Sequence, residues 1–514
     1  MAVKQFYLLG EPSSSARNVE VDSSLDSEGL QHLIAGHFAI VEPHGITFQS
    51  DDATLFTVSE VLVNENPIAI TIDGKAVREI PGPNGLPFVG NFFEIYPDHL
   101  GNHQRLFEQY GPIFQTTNMG RTVYHTNDPL LSTIVFAESD FFTKKINEAH
   151  PLYPIKNKEA GVFLGDTDTP EWRTAHKFLP PALGPKAVRH YAPTMQATVE
   201  DAFKVFDQLD EQEEAWNVYQ YMLKLGAQAL VYRIAESLEL NKKVTARGNW
   251  YAKLPFGDPQ RLRDARWRIM EMVEESIQNA ARGGVEDLPL QDAALQASNM
   301  IDYAIRATDN KGEKLPKESL MSALVVATGA GFTTTSSLLS WLLYSMVTYE
   351  GMQERLLQEL VDHDIDANTQ LTADLTDKLT FMDHFIKETQ RRHNPSYQPA
   401  RTAKVDMILP GGYKLPQDAI VIPALHHVHN NPAVKNRHKG AYIPFAAGPR
   451  MCIGFNFALQ EVKVFLPKLV YRYKFTKEND GPIEYDPMFQ LIRPNNLYVR
   501  AERRVKWPFK SESV

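Results

Sequence analysis

The stretch Phe445-Ala-Ala-Gly-Pro-Arg-Met-Cys-Ile-Gly454 contains Cys452, the only cysteine among the 514 residues. One sulfur can form neither an internal disulfide nor a multi-cysteine metal site. A lone cysteine is commonly a small buried apolar residue. Here, however, Gly448 and Gly454 flank it and allow the backbone to approach a bulky partner. Arg450 adds a positive charge, and a helical pattern begins just after the loop, so the neighbours favour a thiolate.

The spacing Phe445-x-x-Gly448-x-Arg450-x-Cys452-x-Gly454 resembles the haem-binding loop of the cytochrome P450 family. The resemblance implies that Cys452 is the axial ligand of the iron of haem b, where a thiolate favours O–O cleavage. It also implies that Phe445, Arg450 and the two glycines form the haem cradle.

The segment Trp172-Arg-Thr-Ala-His176-Lys177 lies in an amphipathic pattern that is also compatible with an ordinary surface helix. It resembles the Trp-x-x-Ala-His sequence of self-sufficient, fungal-like fatty-acid-hydroxylase haem domains. Side chains four residues apart share one helical face. The resemblance therefore implies that Trp172 and His176 contact a haem propionate and that Lys177 adds a nearby positive charge.

The segment Ala330-Gly-Phe-Thr-Thr-Thr335 resembles the Ala-Gly-x-acid-Thr-Thr signature of the family's central helix. Mid-helix hydroxyls can bond back to the carbonyl four residues earlier and bend the helix. The resemblance implies that Thr334 relays protons to bound oxygen. Thr333 occupies the position of the acid with a hydroxyl, which weakens the argument for proton delivery.

The pair Glu388-x-x-Arg391 lies on one helical face, a spacing that is common on protein surfaces. In its place between the threonine helix and the cysteine loop, it resembles the structural Glu-x-x-Arg pair of the family, which locks the core behind the haem. Arg401 stands where a second propionate ligand is expected, and residues 394–400 are expected to line the pocket.

Twelve residues separate Pro432 from Phe445, fewer than in the family's usual meander. The Pro-Glu-Arg-Phe-like motif, whose arginine completes the Glu-Arg pair, is absent from the sequence. Arg437 and His438 are candidates to replace it. Two explanations remain open: a trimmed haem-proximal face, or a sequence that derives from a mis-spliced gene.

Composition and charge set outer limits on the class of protein. A hydrophobic content of 43% and a charged content of 23% are ordinary for a globular protein, and a net charge of -10 gives no support for nucleic-acid binding. The first residues hold too short an apolar run for a signal peptide or an anchor. Residues 320–349 lack charge and could span a bilayer, but their many hydroxyls favour a buried core helix. We expect a cytoplasmic protein, with peripheral membrane attachment left open.

Residues 1–79 are expected to form an extension, either a small β module or an extended leader, with a loose beginning over the first two dozen residues. Its β-prone runs are residues 38–41, 46–48, 68–72 and 76–80, with a turn at Asp73-Gly74. Residues 81–90 resemble the proline-rich hinge of the family, so residues 80–514 are expected to be a haem domain that is mainly α with a smaller β region. Within it we expect helices at 99–110 and 457–471, strands at 111–115 and 122–126, and a closing hairpin from 488–492 and 496–500.

The resemblance implies a monooxygenase that performs RH + O2 + 2 e⁻ + 2 H⁺ → ROH + H2O on an apolar, lipid-like or secondary-metabolite substrate. Electrons are expected from a separate NADPH-dependent flavoprotein reductase that docks near a basic run formed by Lys435, Arg437, His438 and Lys439. Two alternatives stay open. A peroxide-using or isomerase-type haem-thiolate enzyme fits Thr333, and a haem-free or catalytically impaired relative fits the missing meander.

Overall fold

In the computed structural model, the described residues are 1–51, 53–153, 156, 161–224, 229–282, 284–396, 399–432, 438–485 and 491–511. Helices predominate and the strands are short, which confirms the expectation of a mainly α protein with a smaller β region.

The first 79 residues form a mixed five-stranded sheet crossed by a helix, the topology of β-grasp folds. The elements are β1 (Ala2–Leu8), β2 (Arg17–Val21), α1 (Ser27–Phe38), β3 (Ile46–Ser50), β4 (Ala53–Leu55), α2 (Val58–Val63) and β5 (Ile68–Ile72). The strand order is β2-β1-β5-β3-β4, and the central pair β1–β5 is parallel. Leu30, Ile34 and Phe38, spaced at four residues on one face of α1, pack against the apolar face of the sheet.

Two expectations for this region were wrong. The residues expected to be loose form β1 and β2. No strand spans 38–41, because Phe38 ends α1, Ala39 turns the chain with φ 51°, and only Ile40 forms a bridge, with Ile408. Residues 46–48 and 68–72 do form strands, and Asp73 and Gly74 adopt the positive φ values of a tight hairpin turn.

The remaining strands form small sheets beside the helices. They are β6 (Arg78–Glu79), β7 (Ile113–Asn118), β8 (Arg121–Thr126), β9 (Phe142–Thr143), β10 (Trp216–Asn217), β11 (Leu288–Pro289), β12 (Ala307–Thr308), β13 (Arg401–Ala403), β14 (Met407–Leu409), β15 (Tyr413–Leu415), β16 (Ile420–Pro423), β17 (Tyr473–Lys477) and β18 (Tyr498–Arg503). The largest has the order β7-β8-β16-β13-β9. Because Thr402 of β13 pairs with Thr143 of β9, this sheet places Arg401, at the start of β13, near Lys144.

The helices that follow α2 form most of the rest of the chain. They are α3 (Phe92–Ile95), α4 (His99–Tyr110), α5 (Pro129–Phe136), α6 (Pro170–Phe178), α7 (Pro180–Leu183), α8 (Pro185–Glu211), α9 (Val218–Lys224), α10 (Ala229–Ala246), α11 (Asn249–Ala252), α12 (Asp258–Ala281), α13 (Leu290–Gln296), α14 (Met300–Arg306), α15 (Lys317–Thr348), α16 (Met352–Asp362), α17 (Ala373–Thr376), α18 (Thr380–Arg392), α19 (Leu425–Asn430) and α20 (Phe455–Arg472). The helices expected at 99–110 and 457–471 are present as α4 and within α20.

The central helix α15 runs through the largest apolar core and packs against α9, α10, α12, α18 and α20. Within the described ranges it is the one helix long and apolar enough to cross a membrane, and half of its apolar window is buried inside the protein. Two of its polar side chains have a partner there: the Ser337 hydroxyl and the Trp341 indole N–H both donate to the carbonyl of Ile492.

The closing hairpin expected from residues 488–492 and 496–500 falls partly outside the described residues. The strand near the C-terminus, β18, pairs antiparallel with β17 and with β10. Of its proposed partner segment, residues 488–490 lie outside the described residues.

Candidate functional site

The middle of α15 borders an internal recess. Residues 319–324 and 335–343 of the helix are buried, whereas Ala330 and Gly331 between them are exposed and Thr334 is half-buried. A Cβ added to Gly331 would meet nothing within 4 Å. Exposed positions halfway along a buried helix indicate open space inside the fold rather than outer surface.

The cysteine loop presents its sulfur to open space. The Cys452 amide donates to the Phe445 carbonyl at 3.0 Å, which closes the loop just before α20 begins. The Cys452 side chain is accessible although protein surrounds it, so it too lies in a recess. A Cβ on Gly454 would meet nothing within 4 Å, whereas a Cβ on Gly448, at φ 72°, would lie 2.2 Å from the Phe136 carbonyl. Gly448 is therefore required by the fold, and Gly454 borders space that a ligand can fill.

One expectation about the sulfur was wrong. Burial raises the pKa of the Cys452 thiol above its ordinary value, and the opposing hydrogen bond from the Gly454 amide does not reverse this. Arg450 does not stabilise a thiolate, because its guanidinium donates to Thr167 Oγ1 at 3.0 Å and to the Gly165 carbonyl at 2.9 Å. Metal binding deprotonates a coordinating thiol, so a ligand role for Cys452 does not require a thiolate in the free chain.

Arg450 instead joins the loop to α6. Its guanidinium lies 4.8 Å from the centre of the Trp172 ring, and the Trp172 and His176 rings are 4.7 Å apart on one face of α6. Burial, followed by the Arg450 charge, lowers the pKa of His176 from its ordinary value. The structure thus brings together three of the residues that the sequence predicted to surround the cofactor.

A second buried arginine has spare donors. Arg401 is 2% exposed, its Nη1 donates to the Ala400 carbonyl at 2.9 Å, and its Nε lies 3.6 Å from Glu138 Oε1. Its buried Nη2 has no hydrogen-bond partner within the described part of the chain. Burial lowers the pKa of Arg401 to about 10, and the Glu138 carboxylate opposes that shift. A buried guanidinium with an unused donor is suited to an anionic ligand.

Lys144 is a third cation here, and the sequence reasoning missed it. Burial, and then the charges of Arg450 and Arg401, hold the pKa of Lys144 well below its ordinary value. Its Nζ donates to the Phe163 carbonyl at 2.6 Å. We call Lys144, Arg401 and Arg450 the cation cluster. Lys144 and Lys145 are adjacent lysines after a short β-prone run and match no functional motif. Only the folded structure therefore shows that Lys144 belongs to the cluster.

The two threonines of α15 differ in access to the recess. Both hydroxyls bond back along the helix, Thr333 to the Gly329 carbonyl at 2.7 Å and Thr334 to the Ala330 carbonyl at 2.6 Å. Thr333 is buried, whereas Thr334 is accessible beside the exposed Ala330. Of the two predicted catalytic hydroxyls, Thr334 therefore borders the recess.

Glu461 of α20 is another titratable group that the sequence reasoning missed. Burial raises its pKa to about 7, and the nearby Thr335 hydroxyl acts in the opposite direction. A single glutamate in an amphipathic helix gives no signal of burial, so the sequence could not reveal it.

The Glu388–Arg391 pair forms as expected, with two parallel hydrogen bonds of 2.7 Å. Arg391 also donates to the His429 carbonyl at 3.0 Å, which ties α18 to α19. His438 accepts from the Gly440 amide, and Arg437 lies outside the described residues. Neither the trimmed-face nor the mis-spliced explanation for the short segment is tested by these contacts.

Lys177, expected to add a positive charge near the cofactor, is held in an ion pair with Asp309. Its Nζ donates to Asp309 Oδ2 at 2.6 Å, because the end of α6 turns this side chain toward the loop before α15. Asn394 braces the cysteine loop by donating to the Pro444 carbonyl at 3.1 Å. Residues 397 and 398 of the expected pocket lining lie outside the described residues.

The donor set fits a haem. Cys452 and Gly454 border open space at the cysteine loop, and Ala330, Gly331 and Thr334 border open space at the middle of α15. The cation cluster offers positive charge for carboxylate groups. An apolar macrocycle with two propionates matches this combination of a soft sulfur ligand, open space and unsatisfied cationic donors.

Comparisons with known proteins agree with this geometry. The family model for cytochrome P450 matches residues 80–500. Cytochrome P450 monooxygenase alnD of Emericella nidulans is 44% identical over 99% of this chain and 100% of its own length, and the alignment is 554 residues long, 40 more than this chain contains. Cytochrome P450 4F3 of Homo sapiens is 30% identical over 52% of this chain and 57% of its own length. The bifunctional cytochrome P450/NADPH–P450 reductase of Fusarium oxysporum is 24% identical over 83% of this chain and 42% of its own. This chain belongs to the cytochrome P450 family of haem-iron monooxygenases.

Proposed function

We propose that the protein inserts one oxygen atom of O2 into an apolar organic substrate, with electrons from a separate NADPH-dependent flavoprotein reductase. The observations that carry the proposal are the Cys452 side chain, accessible although protein surrounds it, and Thr334, accessible midway along the otherwise buried helix α15. A sulfur ligand and a hydroxyl that can move protons are the two groups such a reaction needs from the protein.

Each residue of the site has a proposed role in holding the cofactor. Cys452 ligates the iron, Arg401 and Arg450 bind propionates together with Trp172 and His176, and Lys144 adds a third charge to that group. When bound, the haem supplies oxygen activation and transfer. Phe445, Gly448 and Gly454 shape the cradle, and the Glu388–Arg391 pair braces the core behind it.

Thr334 is proposed to move protons. Its hydroxyl donates to the Ala330 carbonyl, so its oxygen retains lone pairs that can accept a proton from water in the recess while its own proton is passed on. Thr333 is proposed to position rather than to react, because its side chain is buried whereas that of Thr334 is accessible.

The substrate is proposed to be lipid-like or an intermediate of secondary metabolism. No residue from 320 to 349 is charged, so the part of α15 that borders the recess offers only apolar and hydroxyl groups. Such walls favour ligands that are mostly apolar. The name of the relative from Emericella nidulans, which states a monooxygenase activity for that protein, supports the reaction type.

The electron donor is proposed to be a flavoprotein that uses NADPH. The relative from Fusarium oxysporum is named as a fusion of a cytochrome P450 with such a reductase, and this chain covers 42% of it. We infer that such a flavoprotein and this protein both face the cytoplasm, with any membrane contact peripheral.

Reconstitution under ¹⁸O2 tests the proposal. The haem-loaded chain, a fungal flavoprotein reductase, NADPH and lauric acid as the apolar probe are expected to yield a hydroxylated product that carries one ¹⁸O atom. The reduced protein with carbon monoxide is expected to show the red-shifted Soret band of a thiolate-ligated haem. A product with oxygen from water, or a band typical of histidine ligation, would contradict the proposal.

A peroxide-dependent reaction is a second candidate, because Thr333 replaces the acid and its hydroxyl is bonded away from the recess. It predicts turnover with hydrogen peroxide and no reductase. If peroxide supports turnover and NADPH with reductase does not, this candidate replaces the first.

We also propose a division of the chain at residue 79, with residues 80–514 forming the haem domain. The first 79 residues have an apolar cluster of their own, which reaches the rest mainly through Val77 and Ile408. Hydrogen exchange is expected to show two groups of amides with separate protection, one on each side of residue 79. A single cooperative unit would contradict the division.

A further inference from the structure

Three metal-ligating side chains lie together in the first 79 residues, and the proposed oxygenation uses none of them. They are Glu28 and His32 of α1 and His44 of the short helical turn Pro43–Gly45. One ligand atom from each side chain lies within 4.8 Å of the ligand atoms of the other two. A carboxylate beside one imidazole is common on a helix surface, but helix spacing does not explain a second imidazole from a different element. The group is therefore a candidate site for a cation.

The spacing of Glu28 and His32 is set by the helix. They are four residues apart, so their side chains lie one turn apart on the same face of α1. Glu28 Oε1 is 3.9 Å from His32 Nε2, and both side chains are more than half exposed. Leu30 and Ile34 bury the opposite face of α1 against the sheet. That packing fixes the rotation of the helix, so the pair faces solvent with a constant spacing.

His44 is positioned by a turn that packs against the hairpin after β5. Its amide donates to Glu42 Oε1 at 3.3 Å. The Gly45 carbonyl accepts from the Asp73 amide at 2.8 Å, and a Cβ added to Gly45 would lie 2.6 Å from Asp73 Oδ1. Because this turn is tightly packed, the backbone that carries His44 has little freedom to move.

The two elements that carry the ligands are also joined to each other. Gln31 Nε2 donates to the Ile46 carbonyl at 2.8 Å. This bond ties α1, one residue before His32, to the chain two residues after His44. The rings of these two histidines meet edge to face with their centres 5.8 Å apart.

Chelation requires only a small rotation of the three side chains. Around a tetrahedral ion with bonds of about 2.0–2.1 Å, ligand atoms are about 3.3 Å from one another. Because all three side chains are exposed, no packed neighbour opposes the movement that brings them to this spacing.

The ligand types select the metal. Two imidazole nitrogens and one carboxylate oxygen suit zinc and other borderline divalent metals, and three protein ligands leave a fourth position open. Magnesium and calcium instead prefer sites made of oxygen ligands. The surrounding charge also favours a cation, because residues 1–79 contain twelve acidic and four basic residues.

We propose that Glu28, His32 and His44 bind Zn²⁺, with water at the fourth position. The ion joins α1 to the turn before β3 and stabilises the N-terminal sheet, because the three ligands come together only in its folded form. These residues are remote in sequence from the cysteine loop, and the site does not depend on the proposed oxygenation. Either proposal can therefore fail without the other.

Equilibrium dialysis against ZnCl2 with elemental analysis tests the proposal on the haem-loaded full chain, purified without a polyhistidine tag. We expect one saturable site with a dissociation constant on the order of 1–10 µM, weaker than a four-ligand structural zinc site. Glu28→Gln, His32→Gln and His44→Gln are each expected to weaken binding at least about tenfold. His37→Gln, which changes another exposed histidine of α1, is the control and should bind zinc like the wild type.

Two further measurements on the wild type report on the ligands and on the fold. Zinc K-edge X-ray absorption is expected to show nitrogen and oxygen neighbours at about 2.0–2.2 Å and no sulfur near about 2.3 Å. At a free zinc concentration of about 100 times the dissociation constant, amides of α1 that exchange through unfolding of the sheet should exchange about 100-fold more slowly, while amides of α20 should not change.

Several outcomes would overturn the proposal. They are the absence of saturable binding, a sulfur neighbour of the zinc, unchanged hydrogen exchange in α1, and wild-type affinity in any of the three ligand variants. A loss of affinity in His37→Gln equal to that in His32→Gln would also overturn it, because binding would then follow the number of histidines rather than this group.

Discussion

Two groups of basic side chains are buried in this molecule, and they differ in what burial does to them. In the cation cluster of Lys144, Arg401 and Arg450, burial leaves both arginines charged at neutral pH, with pKa values of about 10. The second group, the histidine cluster, packs with Phe114 between α4, β8 and α19; its members are His99, His103, His125, His426 and His427. Its rings contact each other closely, with His103 and His125 centroids 4.5 Å apart.

The difference lies in the chemistry of the proton. Burial lowers the pKa of His125 to about 3 and that of His426 to about 4, so both are neutral at pH 7 and behave as aromatic packing groups. Burial lowers the pKa of Arg401 only to about 10, so it stays charged and needs an anion. Buried basic residues therefore mark a ligand site only where the charge persists beside open space.

The largest expected effect comes from removing the sulfur beside the cation cluster. Cys452→Ala is expected to abolish the spectrum of a thiolate-ligated haem, because no other cysteine exists in the sequence. The reduced protein with carbon monoxide should lose its red-shifted band even if the cations still retain the haem. The same band in Cys452→Ala as in the wild type would show that another group ligates the iron.

The second-largest expected effect distinguishes the role of the Thr334 hydroxyl of α15 from that of its neighbour Thr333. Thr334→Ala is expected to leave haem binding intact and to lower product formed per NADPH by about 10²-fold, near the low end for positioned proton transfer, because Thr333 is no carboxylate. Thr333→Val, a change of the buried neighbour, is the control and should retain most of the coupling. Unchanged coupling in Thr334→Ala would point to protons from the substrate or to peroxide chemistry.

A third change tests the cation cluster against the histidine cluster directly. Arg401→Gln is expected to weaken haem retention by about 30-fold or more, since removing one partner of a buried charged hydrogen bond costs about 2 kcal/mol or more. His125→Phe, which replaces one buried ring by another, should retain haem like the wild type. Haem transfer to apomyoglobin measures both. Equal transfer rates for Arg401→Gln and the wild type would remove Arg401 from the cofactor site.

The sequence predicted the parts of this site that follow a fixed local spacing. Phe445 to Gly454 and Trp172 with His176 are set by residues a few positions apart, so a short pattern was enough. Lys144 and Glu461 become notable only through burial by distant elements, which no local pattern encodes. The same limit explains the error at β1 and β2, because β1 pairs with β5 through residues as far apart as Phe6 and Ile68, and β2 in turn pairs with β1.

Lowering the pH is expected to reduce the free energy of unfolding through the histidine cluster and not through the cation cluster. The folded pKa values of His125 and His426 lie below the ordinary value, so the unfolded chain binds protons first as the pH falls. Their contribution is complete above about pH 7 and is lost as the pH falls through 6.5 toward 4 and 3. Glu461, whose pKa is raised to about 7, acts oppositely, and its contribution is lost as the pH rises toward 7.

Each such histidine is expected to cost about 1.4 kcal/mol of unfolding free energy per pH unit in that window. Urea unfolding at a series of pH values measures the slope. In His125→Phe the decline between pH 6.5 and 5 should be shallower than in the wild type, while Arg401→Gln should leave the slope unchanged. Identical slopes in His125→Phe and the wild type would mean that His125 is not buried as a neutral ring.

The smallest expected effect concerns positive charge that is exposed rather than buried. Lys439 is exposed at the start of a short helical turn that leads into the cysteine loop, and Gly440 beside it packs against the Pro129 carbonyl of α5. Lys435 and Arg437, also predicted to receive the reductase, lie outside the described residues.

Reversing the charges of Lys435, Arg437 and Lys439 together is expected to slow reduction of the haem severalfold at low salt, because opposite charges raise the rate of encounter more than they tighten a complex. The difference should shrink near 0.1 M salt, where the screening length is about 10 Å, and substrate binding should be unaffected. Stopped-flow reduction across a salt series measures this, with Lys204→Glu on α8 as the control. Equal rates at low salt for the triple reversal and the wild type would place electron entry on another face.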